Sequence, residues 1–386
     1  NIKMKKIIKI ILLLTLTFSI FLGEVFAEEK IKIGLLVPLT GKNSEIGQSI
    51  IKSTRLAINQ IDNLSIEIIP KDTASSPEVT LKSAKELEKL GIRIVIGPVF
   101  NENLIYLNEL SNLTFLSLTN KNDNRSSNII NAGINATSQL NAIKKFIELN
   151  EIKKTIFLTS DSNYKNEIIQ AISNSRIKII ENYIYDTDPT KLTKQIEKIT
   201  NYERRKQNLE DEIKRLEESD ENNIEKLIER LKKKDTLGNV NFDSLIIADF
   251  DESLKSVTTS LLYTDILPKE KYFITLNQWF DESLLKETNL QPIYFPSINK
   301  ENYEDFSLEY FNKYNQYPNQ LSFLSYDLIG LIYFLILQNE SIINEKIFEK
   351  KVLFKGKVGI FEIKKNKINH ILNFYKVENK KFKKIF

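Results

Sequence analysis

The chain has 386 residues, 41% of them hydrophobic, and no cysteine; that is enough apolar sequence for two cores and excludes a disulfide-stapled scaffold. Its net charge of +4 is a local matter, because residues 1–27 carry four lysines and one glutamate and leave 51 basic and 50 acidic residues beyond them. So even a balance, with lysine, asparagine and isoleucine spread along the whole chain, excludes the basic face with interleaved aromatics that nucleic-acid binding needs.

From Met4 the sequence reads as a secretory leader. Lys5, Lys6 and Lys9 form its charged start, 10–22 is an almost unbroken apolar run of 13 residues, and Val25-Phe26-Ala27 offers a cleavage site before Glu28. A membrane-spanning helix needs about 20 apolar residues, so residues 1–27 are expected to be cleaved and the remainder released into the periplasm. Without a cysteine to carry lipid, it is not expected to be a lipoprotein. The apolar stretch 328–337 is read as a core-facing helix.

Strands and helices then alternate. Residues 31–38 read as a buried strand ended by Pro38, and 46–61 as a helix with apolar residues at helical spacing. Residues 64–69 form a second strand. Ser76-Pro77-Glu78 opens the next helix with an N-cap, a first-turn proline and an acid at the positive end of the dipole, and Gly91 ends it. A strand over 92–96, a helix over 101–110 and a strand over 114–118 follow. A second series begins at 155–158 and continues through 177–180, 244–248 and 272–276. The pattern implies parallel sheets covered by helices, in two Rossmann-like lobes of the α/β class.

Residues 192–235 differ in character. They are heavily charged, with Leu209, Ile213 and Leu216 and then Ile224, Leu227, Ile228 and Leu231 at helical spacing. A polar break over 218–222, with Asp220 or Asn222 as cap, predicts an antiparallel helical hairpin with arms of about 15 residues, on the order of 20 Å long. It serves equally as a solvated insertion or as a docking arm. The chain is expected to end in two strands, 359–363 and 371–377, at an antiparallel edge of the second lobe.

Catalytic patterns are missing from the sequence. His370 is the single histidine and is expected to be structural, no serine sits in a G-x-S-x-G turn, and Gly34, Gly41 and Gly47 do not form a dinucleotide-binding fingerprint. Neither cofactor nor metal is expected. The pair Asp249 and Asp251 is of a kind that 51 acidic residues produce by chance. The glycines after the first strand permit a turn that leaves helix N–H groups facing a cleft, which places Thr40, Asn43 and Ser44 either against a ligand or as caps of the first helix.

The run Lys32-Ile33-Gly34-Leu35-Leu36-Val37-Pro38-Leu39-Thr40-Gly41, then Ile46-Gly47-Gln48, Ile96-Gly97-Pro98-Val99 and Ser117-Leu118-Thr119, resembles the leucine/isoleucine/valine-type (type I) periplasmic binding proteins. Tyr202-Glu203-Arg204-Arg205, Thr236-Leu237-Gly238, Tyr263-Thr264-Asp265, Gln278-Trp279, Tyr326-Asp327, Phe354-Lys355-Gly356 and Gly359-Ile360-Phe361 resemble, in order and spacing, the penicillin-binding-protein activators that share that fold. The resemblance implies a non-enzymatic protein with lobe one at 28–142 and 296–355 and lobe two at 143–295 and 356–386. It implies as partner a peptidoglycan synthase or, for a carrier of amino acids or related small molecules, an ABC transporter permease. It also puts Asn101, Thr119, Lys121 and Tyr164 at ligand-binding positions between the lobes, with Trp279 as an aromatic candidate. Asn101 stands where the family has serine. Lys121 would repel an ammonium group and attract an anion, which favours regulation over amino-acid transport. Tyr326 is expected to be core.

Overall fold

A computed structural model describes residues 30–61, 66–121, 126–219, 223–276, 279–339 and 345–386. The expected leader, the candidate caps Asp220 and Asn222, and Gln278 lie outside the described residues.

The first series comprises β1 (Ile31–Val37), α1 (Ser44–Ile58), β2 (Ile66–Asp72), α2 (Pro77–Lys89), β3 (Ile94–Ile96), β4 (Thr114–Ser117) and β5 (Ile129–Asn131). Its strands form a parallel sheet in the order β2-β1-β3-β4-β5. Ser76 caps α2 by accepting the Val79 N–H at 3.4 Å, with Pro77 in the first turn. Between β3 and β4 the expected helix over 101–110 is instead two short 3-10 turns, Asn101–Leu104 and Leu107–Glu109. Leu104, Leu107 and Leu110 are all buried, and their strict three-residue spacing suits a helix with three residues per turn.

Helix α3 (Ala136–Leu149) leads to the second series: β6 (Thr155–Ser160), α4 (Lys165–Asn174), β7 (Ile179–Tyr185), α5 (Pro189–Ile199), α6 (Tyr202–Glu217), α7 (Ile224–Leu231), β8 (Ser244–Ala248), α8 (Asp251–Tyr263), β9 (Tyr272–Thr275), α9 (Ser283–Lys286) and β10 (Ile293–Ser297). Two helices, α10 (Lys300–Tyr314) and α11 (Ser322–Gln338), then return to the first half, where Ser53 donates to the Ser322 carbonyl at 2.6 Å and pins α11 to α1. The chain ends in β11 (Val352–Lys355), β12 (Ile360–Lys364), β13 (Lys367–His370), β14 (Asn373–Glu378) and β15 (Lys381–Lys384). The second sheet runs β7-β6-β8-β9-β10-β14-β15, parallel through β10 and antiparallel beyond it.

The C-terminal strands differ from expectation. Strand β14 does form the antiparallel edge, but β12 pairs with β11 and β13 in a separate three-stranded sheet. The chain therefore passes to the second sheet for the last time at 371–372, after that small sheet is complete. Its loop 356–359 is tied to α11 through Asp327, whose carboxylate accepts the N–H groups of Lys357 (2.7 Å), Val358 and Gly359 (2.7 Å). A Cβ on Gly356 would lie 2.5 Å from that carboxylate, so the loop can wrap it only with glycine there.

The hairpin is shorter at one end than expected. Leu192 and Ile196 belong to the crossover helix α5 and are buried in the second half, whose core they complete. Asn201, at φ 50°, breaks the chain before the true hairpin of α6 and α7, whose arms are 16 and 8 residues long. One apolar cluster runs from Ile33 and Leu116 on the first sheet through Ile143 and Phe146 of α3 to Phe157, Ile246 and Ile274 on the second. The two sheets thus share a packed side and leave an opening on the other.

Among the described residues no helix is long and apolar enough to cross a membrane; α11, at 17 residues, has Leu328, Ile329, Leu331, Ile332, Leu335 and Ile336 in the core.

Candidate functional site: a cleft between two sheets

The opening is a cavity of about 650 Å³ lined from both halves. On the first side stand Val99 to Glu102 after β3, Leu118 to Lys121 after β4, Ile134 and Gln139 at the start of α3, and Gln320, Leu321 and Leu324 at the start of α11. On the second stand Phe250 and Asp251 after β8, Trp279 and Asp281 after β9, and Pro296 and Ser297 at the end of β10. These are loops beyond the carboxyl ends of parallel strands, where open α/β sheets hold their ligands. Apolar side chains such as Val99, Phe100, Leu118, Phe250, Trp279 and Leu324 alternate on the walls with polar and charged ones such as Glu102, Lys121, Asp251 and Asp281, so the cleft offers both apolar surface and polar partners. A groove of about 840 Å³ lies at the other end of β9 and β10, against Lys269, Lys271, Tyr272, Tyr294 and Lys380. It is larger, but it is mostly polar and remote from these loops, so the cleft is the better candidate.

Backbone geometry shapes the first wall. Gly97 has φ 103°, and a Cβ there would come within 2.1 Å of the Leu36 carbonyl oxygen. A side chain at 97 would therefore push the 98–102 loop off β1. Thr119 is buried beneath the second loop, its carbonyl accepting the Gly133 N–H at 3.2 Å and its hydroxyl the Lys121 N–H at 3.3 Å. Asn131 donates to the Lys121 carbonyl at 2.6 Å, which fixes the backbone from which the lysine extends.

Of the residues expected at a ligand, Asn101, Thr119, Lys121 and Trp279 line the cleft. Thr40, Asn43 and Ser44 do not. Thr40 donates to Asp72 at 2.6 Å, Asn43 donates to the Ser75 hydroxyl at 3.0 Å, and Ser44 opens α1. Burial opposes the Asp72 charge, yet the Thr40 hydroxyl and the N–H groups of Leu39 and Ala74 outweigh it and hold that carboxyl below its usual range. These bonds tie the loop to the 72–75 turn, and among the described residues no side chain caps the N-terminus of α1.

Tyr164 stands one layer behind the wall. Its hydroxyl donates to Asp249 at 3.0 Å, and its ring stacks on Phe250 at 6.2 Å, so Phe250 meets the cavity in its place. Asp249 is 2% exposed and also accepts the Tyr185 hydroxyl. Burial and that carboxylate raise the pKa of both tyrosines. Reasoning from sequence passed over Phe250 and Asp281 and set Asp251 aside with Asp249 as a chance pair; the usable signal was that Asp249-Phe250-Asp251 directly follows the strand 244–248.

His370 is buried away from the cleft. Its Nε2 lies 2.8 Å from the Ala132 carbonyl and its ring meets Phe361 edge-on at 4.7 Å. Burial depresses its pKa to about 4, so it is neutral at physiological pH. Among the described residues no group of three His, Cys, Asp or Glu could hold a metal ion.

Comparison with known proteins agrees with this architecture. A family model described as periplasmic binding protein matches residues 30–201. The fold is that of the type I periplasmic binding proteins. A branched-chain amino acid ABC transporter periplasmic ligand-binding protein from Burkholderia xenovorans superposes with a TM-score of 0.64 at 10% identity, over 92% of this chain and 95% of its own. The C-domain of LpoA from Haemophilus influenzae, a regulator of PBP1A, gives 0.61 at 13% identity, over 92% and 100%. A solute binding protein of an ABC transporter from Rhodopseudomonas palustris, in complex with 3,4-dihydroxybenzoic acid, gives 0.55 at 16% identity, over 90% and 92%. No curated protein matches the sequence. Two of these three are ligand- or solute-binding proteins and the third is a regulator.

Proposed function

We propose that this protein is a non-enzymatic solute-binding protein of the cell envelope, exported by its leader to the periplasm, that closes on a small organic molecule in the cleft and presents it to a membrane permease. The observation that carries the reading is the open cavity lined by both sheets; a purely regulatory protein has no need of one. The solute-binding proteins of like fold support it. Calorimetry with amino acids, short peptides and aromatic acids tests it: micromolar binding, with a smaller radius of gyration in scattering on saturation, is expected, and silence across the panel would defeat it.

A second reading, control of a peptidoglycan synthase, is supported by the hairpin and by the likeness to the LpoA C-domain. Arg205 anchors the hairpin by donating to the carbonyls of Gly238 and Thr264 and to the Thr236 hydroxyl, which ties the start of α6 to the chain beyond α7 and to the end of α8. Replacing 209–233 by a short linker keeps that anchor. If capture of a bifunctional peptidoglycan synthase persists at full strength without the arm, docking through the hairpin is excluded.

A further inference from the structure

At the opposite end of β9 and β10 from the cleft, the groove of about 840 Å³ is framed by three neighbouring stretches of chain. Pro268 to Lys271 lead into β9, Thr288, Gln291 and Pro292 lead into β10, and Glu378 to Lys380 turn from β14 to β15. In the sheet β10 lies between β9 and β14. Lys269 and Lys271 therefore stand on one rim and Lys380 on the other, with an uncharged stretch between them. Strands lie about 4.8 Å apart, so the two cationic rims are on the order of 10 Å apart. The acids of the lining are already engaged. Glu378 holds Lys383 at 2.7 Å and Lys376 at 3.0 Å, which keeps its carboxyl below the usual range, and Glu270 lies close enough to Arg205 to favour that charge. Among the described residues Lys269, Lys271 and Lys380 enter no ion pair.

Tyr272 and Tyr294 line the groove between the rims, their rings 5.4 Å apart at 62° and both backed by Phe146 of α3. Burial, Tyr272 and Glu378 push the Tyr294 pKa up to about 12, so its phenol keeps a proton to donate. Gln291 is spent within the protein: its amide donates to the Leu284 carbonyl at 3.0 Å, and its oxygen accepts the Lys380 N–H at 3.0 Å, which fixes the turn that carries this lysine. Ammonium groups on both rims, with hydroxyl donors between them, suit a ligand that is negative at both ends and polar in the middle. We propose that this groove is a second binding site, for a two-ended organic dianion with phosphate or carboxylate ends, one at Lys269 and Lys271 and the other at Lys380. The site stands apart from the cleft and does not rest on what the cleft holds.

Calorimetry at low salt and neutral pH compares four probes: fructose 1,6-bisphosphate and suberate, which are charged at both ends, fructose 6-phosphate, charged at one, and fructose, which is neutral. The better of the two-ended probes should bind about tenfold tighter than the one-ended phosphate, fructose should be silent, and added salt should weaken every signal. Whichever two-ended probe leads assigns the ends as phosphate or carboxylate. Lys269 and Lys380 are exposed, so Lys269→Gln and Lys380→Gln should keep the wild-type melting temperature while each weakens the leading probe about three- to fivefold and narrows its lead over fructose 6-phosphate. If neither two-ended probe outbinds fructose 6-phosphate, if fructose binds as well as they do, or if both variants bind like the wild type, the two-ended anion site is refuted, whatever the cleft binds.

Discussion

The base of the hairpin and the second wall of the cleft lie on the same half of the molecule and both rely on charged groups, yet they treat them in opposite ways. At the hairpin base the Arg205 guanidinium, 8% exposed, is enclosed by three carbonyls, the Thr236 hydroxyl and the Asp265 carboxylate at 3.8 Å, while Tyr202 and Tyr263 pack ring to ring beside it. At the cleft, Asp251, Asp281 and Lys121 border an open cavity. The first arrangement is complete without a ligand and the second is not. Dense motif matches therefore marked a structural joint: Tyr202 to Arg205, Thr236 to Gly238 and Tyr263 to Asp265 converge on one buried guanidinium. The 326–361 matches converge in the same way on Asp327.

Removing a member of a sealed cluster should then cost stability, and removing a cleft residue should cost binding. The largest effect is expected for Arg205→Ala, which strands the buried hydroxyl, carboxylate and carbonyl groups it serves. A loss of about 3 kcal/mol in urea unfolding, with early proteolysis within 202–238, is expected. Arg205→Lys should recover little, because one ammonium cannot reach the four directions of the fork. Wild-type stability in the alanine variant would show that the hairpin base is not the closed joint described.

The sealed groups also make a pH prediction. Burial raises the Asp327 pKa to about 7, even against three backbone N–H groups, and lowers that of His370 to about 4. For Asp327 the folded value exceeds the unfolded one, so its contribution is complete below about pH 4 and is lost as pH rises through about 7. For His370 the folded value lies below the unfolded 6.5, so its contribution is present above that pH and is lost as pH falls towards about 4. The two oppose each other between about pH 4 and 7. Asp327→Asn should make acidification cost more stability, by roughly 4 kcal/mol across the window, and His370→Gln should make it cost less, by roughly 3 kcal/mol. Parallel pH profiles for the two variants and the wild type would refute the assignment.

The legibility of the sequence divides along the same line. Buried parallel strands read as continuous apolar runs, so both strand–helix series were visible, and Ser76-Pro77 announced its helix by local chemistry alone. Residues 101–110 misled because apolar side chains every third residue fit an α-helix nearly as well as a 3-10 turn. The hairpin's start was misplaced because α5 and α6 are both charged and only Asn201, in a left-handed conformation, separates them. In the cleft, the family resemblance is what put Asn101, Thr119 and Lys121 at a ligand, with Trp279 as an aromatic candidate, and all four line the cavity. Asp251 follows the strand 244–248, but with Asp249 it was set aside as a chance pair among 51 acidic residues, Phe250 was not singled out, and no local pattern tells a wall residue from a solvated one. Nor could Asp327 be read from its neighbours, since its partners lie some thirty positions away, as in the bond from Lys357.

The smallest effect on stability belongs to the cleft and tests the comparison most sharply. Lys121 keeps its backbone fixed by Asn131 while its side chain reaches the cavity. Lys121→Gln should shift unfolding by under about 0.5 kcal/mol. Because it removes an ammonium from the first wall, it should tighten the cation phenethylamine about threefold and weaken the anion 3-phenylpropionate by a like factor, as read by the fluorescence of Trp279, the only tryptophan. If stability fell by several kcal/mol instead, Lys121 would belong with Arg205 as part of a closed joint. If affinity for the two probes moved in the same direction, the Lys121 charge would not bear on which solute the cleft holds.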